Sequence, residues 1–346
     1  MDIIELLTLT VNSNASDLHL SAGVAPMVRI NGQLQCLDRP TLEQKYLHDS
    51  LYAILTDSQR KLFETFLECD VSFEIANLAR FRVNVFSQNR GIAAAFRVIP
   101  NKILSLDQLN QSSLLKELCQ LQRGLILLTG PTGSGKSTTL NAMLDYINSH
   151  QHSHIITIED PIEYVHRSKK SLINQRELNR HTHSFSNALR SALREDPDVI
   201  FIGEMRDLET IRLALSAAET GHLVFSTVHT SSAAKTINRI IDVFPGDEKA
   251  LVRSMLSESL QAVISQTLLN RMEENGRIAG LEMMLCTAAI RNLIREDKIP
   301  QIYSCIQTGS HVGMQTLDQH LKSLVDNRII SYATARNHAV NKEMFV

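Results

Sequence analysis

Nine consecutive residues hold the densest chemistry in this 346-residue chain: Gly130, Pro131, Thr132, Gly133, Ser134, Gly135, Lys136, Ser137 and Thr138. They fill the phosphate-loop pattern G-x-x-x-x-G-K-[ST] without a gap. Glycine at 130, 133 and 135 lets the backbone curl until successive N–H groups face phosphate oxygens. In that chemistry Lys136 places a point charge on the β- and γ-phosphates, and the Ser137 hydroxyl ligates Mg²⁺. Further reactive groups follow three short apolar runs. Residues 155–158 lead into Glu159, Asp160 and Glu163, residues 199–202 into Glu204, Arg206 and Asp207, and residues 223–228 into His229. A carboxylate beside a phosphate loop can hold Mg²⁺ through water or orient the attacking water. The same carboxylates also read as solvated strand ends or helix caps, Asp207 above all before the helix expected at 208–218. His229 reads equally well as a hydrogen-bonded core histidine.

These groups need a scaffold that brings them together. Residues 125–129 read as a buried strand and residues 140–147 as the helix after the loop, so the pattern sits in a strand–loop–helix context. Strands at 125–129, 155–158, 199–203 and 223–228, separated by helical stretches, predict an α/β region with a parallel sheet covered on both faces. Ligands of such sheets bind at the carboxyl ends of the strands. The N-terminal stretch has a different rhythm. Residues 27–30 and 33–37 flank Asn31-Gly32, a hairpin-turn dipeptide, and residues 80–86 alternate apolar Phe81, Val83 and Val85 with Arg82 and Asn84. Residues 93–99 read as another strand, stopped by Pro100. The expected division is an α+β module over residues 1–98, a linker over 99–113 and the nucleotide-binding domain over 114–346.

Composition narrows the class. Hydrophobic residues at 43% and charged residues at 21% suit a globular protein, and 346 residues favour two domains over one. A net charge of −2 gives no global field for nucleic acid or an anionic membrane. The five cysteines are scattered without a C-x-x-C pair, which argues against structural disulfides and a thiolate zinc site. No apolar run is long enough to span a bilayer and no signal peptide opens the chain, so a cytoplasmic location without membrane insertion is expected.

The blocks at 130–138, 155–166, 196–207 and 222–229 together resemble the Walker A, Asp box, Walker B and His box of the secretion-superfamily ATPases. These are hexameric motors of type IV pili and type II secretion with RecA-like P-loop ATPase cores. Residues 15–20, Ala-Ser-Asp-Leu-His-Leu, resemble the start of their PAS-like N-terminal domain. Residues 289–296, Ala-Ile-Arg-Asn-Leu-Ile-Arg-Glu, resemble the signature of the pilus-retraction branch. By periodicity alone that block is an amphipathic helix with Ala289, Ile290, Leu293 and Ile294 on one face. No tetracysteine motif follows the His box, which favours the retraction type over extension and secretion relatives.

The resemblance implies a homo-hexameric ATPase acting with Mg²⁺ at the inner face of the cytoplasmic membrane, against an inner-membrane pilus platform protein, with pilus retraction as its work. It casts Glu163 as general base, Glu204 as organiser of Mg²⁺ and His229 as sensor of the γ-phosphate, with Lys136 as a further catalytic group. Ser137, Glu204 and Glu159 are the expected metal-side groups. Arg82 and Arg97 are candidates for closing over the nucleotide, and Arg190 and Arg194, read as i, i+4 on one helix, for a sensor or inter-subunit role. Within the superfamily, an auxiliary retraction ATPase or an extension or secretion ATPase is the alternative. Outside it stand a DNA-translocating motor, marked by DNA-stimulated turnover with a steep salt slope, and a non-catalytic nucleotide-binding factor.

Overall fold

The computed structural model describes residues 2–30, 32–76, 78–99, 103–110, 112–272 and 276–345. The chain divides into two units, Met1–Lys102 and Ile103–Val346. Pro100, Asn101, Lys102 and Gln111 of the expected linker, and Asn31 of the expected turn, lie outside the described residues.

The first unit is built on strands β1 (Asp17–Ser21), β2 (Met27–Ile30), β3 (Gln33–Cys36), β4 (Glu68–Ile75), β5 (Ala79–Gln88) and β6 (Gly91–Ile99). They form an antiparallel sheet in the order β3-β2-β1-β6-β5-β4. Strands β2 and β3 pair with Ile30 opposite Gln33, the register expected on either side of Asn31-Gly32. Strand alternation does what period two requires. Phe81, Val83 and Val85 are fully buried while Arg82 is exposed. Helices α1 (Ile3–Asn12), α2 (Gln44–Ile54) and α3 (Asp57–Phe66) complete this core through Leu6, Leu7, Leu47, Leu51 and Phe63. Local signals fix where these helices start. Asp2 accepts a hydrogen bond from the Ile4 N–H at 3.1 Å, and Thr56 with Gln59 forms a capping box ahead of α3.

The second unit carries β7 (Gly124–Thr129), β8 (His154–Glu159), β9 (Leu172–Glu177), β10 (Val199–Ile202), β11 (Leu223–Val228), β12 (Leu260–Asn270) and β13 (Arg277–Leu285). Their order is β13-β12-β7-β11-β10-β8-β9, parallel throughout except that β13 runs antiparallel to β12. The α/β fold with a parallel sheet is therefore as expected, and every residue of β7, β10 and β11 is buried. Its helices are α4 (Ser113–Leu118), α5 (Lys136–His150), α6 (Phe185–Ala192), α7 (Leu208–Glu219), α8 (Ala233–Asp242), α9 (Lys249–Ser259), α10 (Ala288–Arg295), α11 (Ile302–Thr308), α12 (Leu317–Asp326) and α13 (Tyr332–His338). Both faces of the sheet are covered. Leu125 and Leu127 of β7 pack with α6, α7, α8 and α9, whereas Ile126 and Leu128 pack with α4 and α5.

Three expectations are corrected. First, β9, β12 and β13 join the four strands read from apolar runs. β9 is an edge strand of mixed polarity, and β12 starts at Leu260 directly where α9 ends at Ser259, so no turn signal separates them. Second, Arg190 and Arg194 do not share a helix. α6 ends at Ala192, and Arg194 lies in the turn before Asp196, whose left-handed φ of 54° and following Pro197 stop the helix. Third, Ala289 is exposed rather than on the packed face of α10, while Arg291 is half-buried. The Arg291 guanidinium donates to the Glu258 carbonyl at 2.8 Å and to Gln261 Oε1 at 3.0 Å, so it caps the end of α9.

Phe73 stacks on Phe81 at 5.5 Å between ring centres and meets Phe96 edge-on at 6.3 Å, at the heart of the first unit. Replacing fully buried Phe81 by alanine is expected to destabilise that unit by about 3–5 kcal/mol. The measurement is urea unfolding followed by far-ultraviolet circular dichroism.

Candidate functional site

β7 delivers the chain to Gly130, and the loop turns through left-handed backbone at Gly133 (φ +79°) and Gly135 (φ +85°) before α5 begins at Lys136. Gly130 is required by contact. A Cβ there would stand 2.1 Å from the main-chain oxygen of Gln266 on β12. No side chain among the described residues caps the start of α5, so its first N–H groups face outward from Gly135 onward, the arrangement that binds anions. Lys136 is buried and its ammonium donates to the Gly130 and Pro131 carbonyls, each at 2.9 Å. Burial lowers its pKa, and the negative charges of Glu204 and Glu163 act the other way. Pro131, Thr132 and Gly133 are exposed, Ser134 is buried, and Ser137 and Thr138 are half-buried. The Thr138 hydroxyl lies 3.3 Å from the Tyr164 hydroxyl.

The strand tips converge on this loop as the topology demands. Glu204, just past β10, holds Arg206 at 2.8 Å and the Nε2 of His229, just past β11, at 3.4 Å. Burial pushes the Glu204 carboxyl up, but Arg206 and His229 together outweigh it and hold it below the usual range. Glu163 is exposed, on the segment after β8. Glu159 differs from the expectation of an open, metal-facing carboxylate. It is 4% exposed and accepts from Thr157 Oγ1 at 2.6 Å and Gln175 Nε2 at 3.1 Å. Burial pushes its carboxyl up to about 7 despite those donors.

The same network holds the segment that carries Glu163. Gln175 Nε2 donates to the Tyr164 carbonyl at 2.9 Å, and Gln175 Oε1 accepts from the His166 N–H at 2.7 Å. His166 Nε2 meets Asn141 Oδ1 at 2.7 Å, and Asn141 donates to the Ser137 carbonyl at 2.8 Å. An oxygen can only accept here, so the imidazole carries its proton on Nε2. The general-base candidate is thus tied through two side chains to the first turn of α5.

The arginines are placed differently. Arg190 is ion-paired with Glu209 across α6 and α7, and Arg194 is exposed. Arg82 and Arg97 belong to the first unit, directly opposite one another on β5 and β6. Arg97 Nε donates to Asp17 Oδ1 at 2.9 Å, and Arg29 lies 4.0 Å from the same carboxylate. Asp207 caps α7, accepting from the Thr210 N–H at 2.8 Å. Sequence reasoning missed Gln266, Gln175, Arg206 as partner of Glu204, and Glu282, which accepts from the Ala233 N–H at 2.7 Å where α8 begins. The available signal was a polar residue inside an apolar strand run, as at Gln266 and Glu282.

Among the described residues, no cluster of three or more His, Cys, Asp or Glu side chains suits a metal ion. Ser137 and Glu204 are the side chains that suit Mg²⁺, a cation that takes few protein ligands beside water and phosphate oxygens.

The family described as Type II/IV secretion system protein matches residues 2–338. The chain is 61% identical over 345 residues to the type IV pilus retraction ATPase PilT of Pseudomonas aeruginosa, covering all of both chains. It is 55% identical over 338 residues to a twitching motility protein of Neisseria gonorrhoeae, covering 98% of this chain and 90% of that one. Among solved structures, the pilus retraction motor PilT with bound ADP is similar at a TM-score of 0.92 and 46% identity, covering 99% of this chain and 98% of that one.

His166 yields a pH test. Burial drives its imidazole down to about 4, with Asp145 acting against the shift and Lys169 with it. Between the ordinary value of 6.5 and about 4, the unfolded chain takes up a proton that the folded chain refuses. Stability is therefore lost as pH falls through that window, by an amount on the order of 3 kcal/mol from this group. Denaturation midpoints of wild type and His166→Gln at pH 7 and pH 4 check this, and the variant is expected to lose less on acidification.

Proposed function

The chain belongs to the Type II/IV secretion system protein family, and on that premise we propose that it is the ATP-hydrolysing motor that powers type IV pilus retraction and twitching motility. The observation that carries this reading is full-length similarity to a pilus retraction ATPase, joined to a phosphate loop whose helix start is left open for an anion.

In this reading the N–H groups of the loop after Pro131 bind the phosphates. The Lys136 ammonium exchanges the Gly130 and Pro131 carbonyls for phosphate oxygens, a stronger charge-assisted contact. Ser137, and Glu204 through water, would hold Mg²⁺, which would supply charge neutralisation beside the phosphates. Arg206 shares the Glu204 carboxylate and so sets how much of its charge is offered to that water shell. Glu163 takes the proton of the attacking water, and the Gln175 and His166 contacts fix the segment from which it acts. His229, already on Glu204, reports the state of the γ-phosphate. We assign the transition-state arginines to Arg82 and Arg97, whose cross-strand placement leaves two positive charges opposite one another with Asp17 as counter-charge to one of them. Arg190 and Arg194 keep the sensor or inter-subunit role.

The assembly we propose is a homo-hexamer, with a PAS-like N-terminal domain over residues 1–98, a linker over 99–113 and a RecA-like domain over 114–346. It works on an inner-membrane pilus platform protein from the cytoplasmic side. No helix among the described residues is long and apolar enough to cross a membrane.

Replacing Glu163 by glutamine is expected to lower kcat about 100- to 10,000-fold while ADP affinity is retained. Turnover at the wild-type rate would remove Glu163 from the chemistry. Light scattering of the purified chain with ATP tests the ring, and only monomers would exclude it. Deleting the gene is expected to leave cells with excess surface pili and no twitching; bald cells would overturn the retraction assignment.

A further inference from the structure

We propose that Gln266 is the positioning residue of the phosphate loop, the fixed post around which the loop is wound and by which one of its phosphate-facing amides is aimed. This rests on the reading of residues 130–138 as a nucleotide site.

Four contacts with the loop and its helix meet on this one side chain and its own peptide. Gln266 is 3% exposed on β12. Its Nε2 donates to the Ser134 carbonyl at 2.7 Å, and its Oε1 accepts from the Thr139 hydroxyl at 2.9 Å. Its main-chain oxygen fills the space where residue 130 would carry a Cβ, 2.1 Å from that position. Its Nε2 fills the space beside residue 135, 2.9 Å from where a Cβ would stand. Two of the glycines in the motif therefore answer to Gln266 as well as to the phosphate. The amide orientation is settled by chemistry, since the Ser134 carbonyl only accepts and must face the NH₂.

The consequence follows from the planarity of the peptide bond. In a trans peptide the C=O and the next N–H point in opposite directions. A Ser134 carbonyl held toward β12 turns the Gly135 N–H away from Gln266, at the mouth of α5 where anions bind. Without the Gln266 donor that carbonyl is a buried acceptor lacking a partner. The peptide then gains by rotating toward water, which takes the Gly135 N–H out of line. Thr139 restrains the other end of the amide and keeps it from turning over.

The test uses the full chain, with ADP binding by calorimetry and ATP turnover as readouts. Gln266→Met keeps length and removes both polar ends. It is expected to weaken ADP about 10- to 100-fold, the worth of a hydrogen bond to a charged group, with KM for ATP raised and kcat lowered. Thr139→Val leaves the Ser134 contact in place and is expected to cost about threefold in ADP affinity, since it removes only a restraint between neutral groups. Gln266→Glu gives a signature that simple core filling does not. Ionised, the carboxylate faces the Ser134 carbonyl with no donor; protonated, it donates. Its ADP deficit relative to wild type is expected to shrink as pH is lowered.

A Gln266→Met chain that melts earlier yet binds ADP with wild-type affinity and KM would reduce Gln266 to core packing and overturn the proposal. If that variant does not fold, unchanged ADP affinity in Thr139→Val together with a pH-independent deficit in Gln266→Glu has the same force. Wild-type protein that fails to bind ADP would bring down the nucleotide reading itself, and this proposal with it.

Discussion

At Gly130 the phosphate loop lies against the main-chain oxygen of Gln266, with no room between them for even a methyl group. That contact depends on how β12 enters the sheet. β12 runs parallel to β7, and its register shifts between Leu260 and Ala262, so that Ser265 stands opposite Thr129 and Gln266 comes level with the start of the loop. The extra residue, Gln261, is itself held. Its carbonyl accepts from the Cys286 N–H at 2.8 Å and its side chain from Arg291 at 3.0 Å. A bulge one strand away from the phosphate loop thus decides which residue the loop rests on.

The charged groups around the loop divide by burial. Glu204 is kept ionised by Arg206 and His229, whereas Glu159, two positions before Pro161, is driven up to about 7 by burial. Two carboxylates at neighbouring strand tips therefore do different work, one offering charge to solvent and one anchoring Gln175. The His166 imidazole belongs with the second kind: neutral, buried, and useful as a hydrogen-bond donor to Asn141.

What the sequence made legible was local. Apolar runs located β7, β8, β10 and β11, the loop pattern located the phosphate site, and strand alternation located β5. Each of those signals is complete within about ten residues. Gln266 showed only as a polar residue inside an apolar run, and its role was not legible because its partners, Ser134 and Thr139, lie 132 and 127 positions away. The same holds for Asp17, which meets Arg97 at a separation of 80 residues. Spacing misled at Arg194, where periodicity extended a helix that Asp196 and Pro197 had already stopped. It also misled at Ala289, which the helical wheel sets on the apolar face of α10 and which is exposed.

The position of β7 in its sheet has a mechanical side. β11 and β12 flank it on both edges and run in its own direction, paired along nearly its whole length. A pull along the strand axis would load those rungs together in shear, because inter-strand hydrogen bonds lie across the strands. An edge strand such as β9, bonded on one side only, shares a load among half as many ladders. The loop at the end of β7 is thereby mounted on a strand held from both sides. A pull on the loop would be passed through those ladders to β11 and β12.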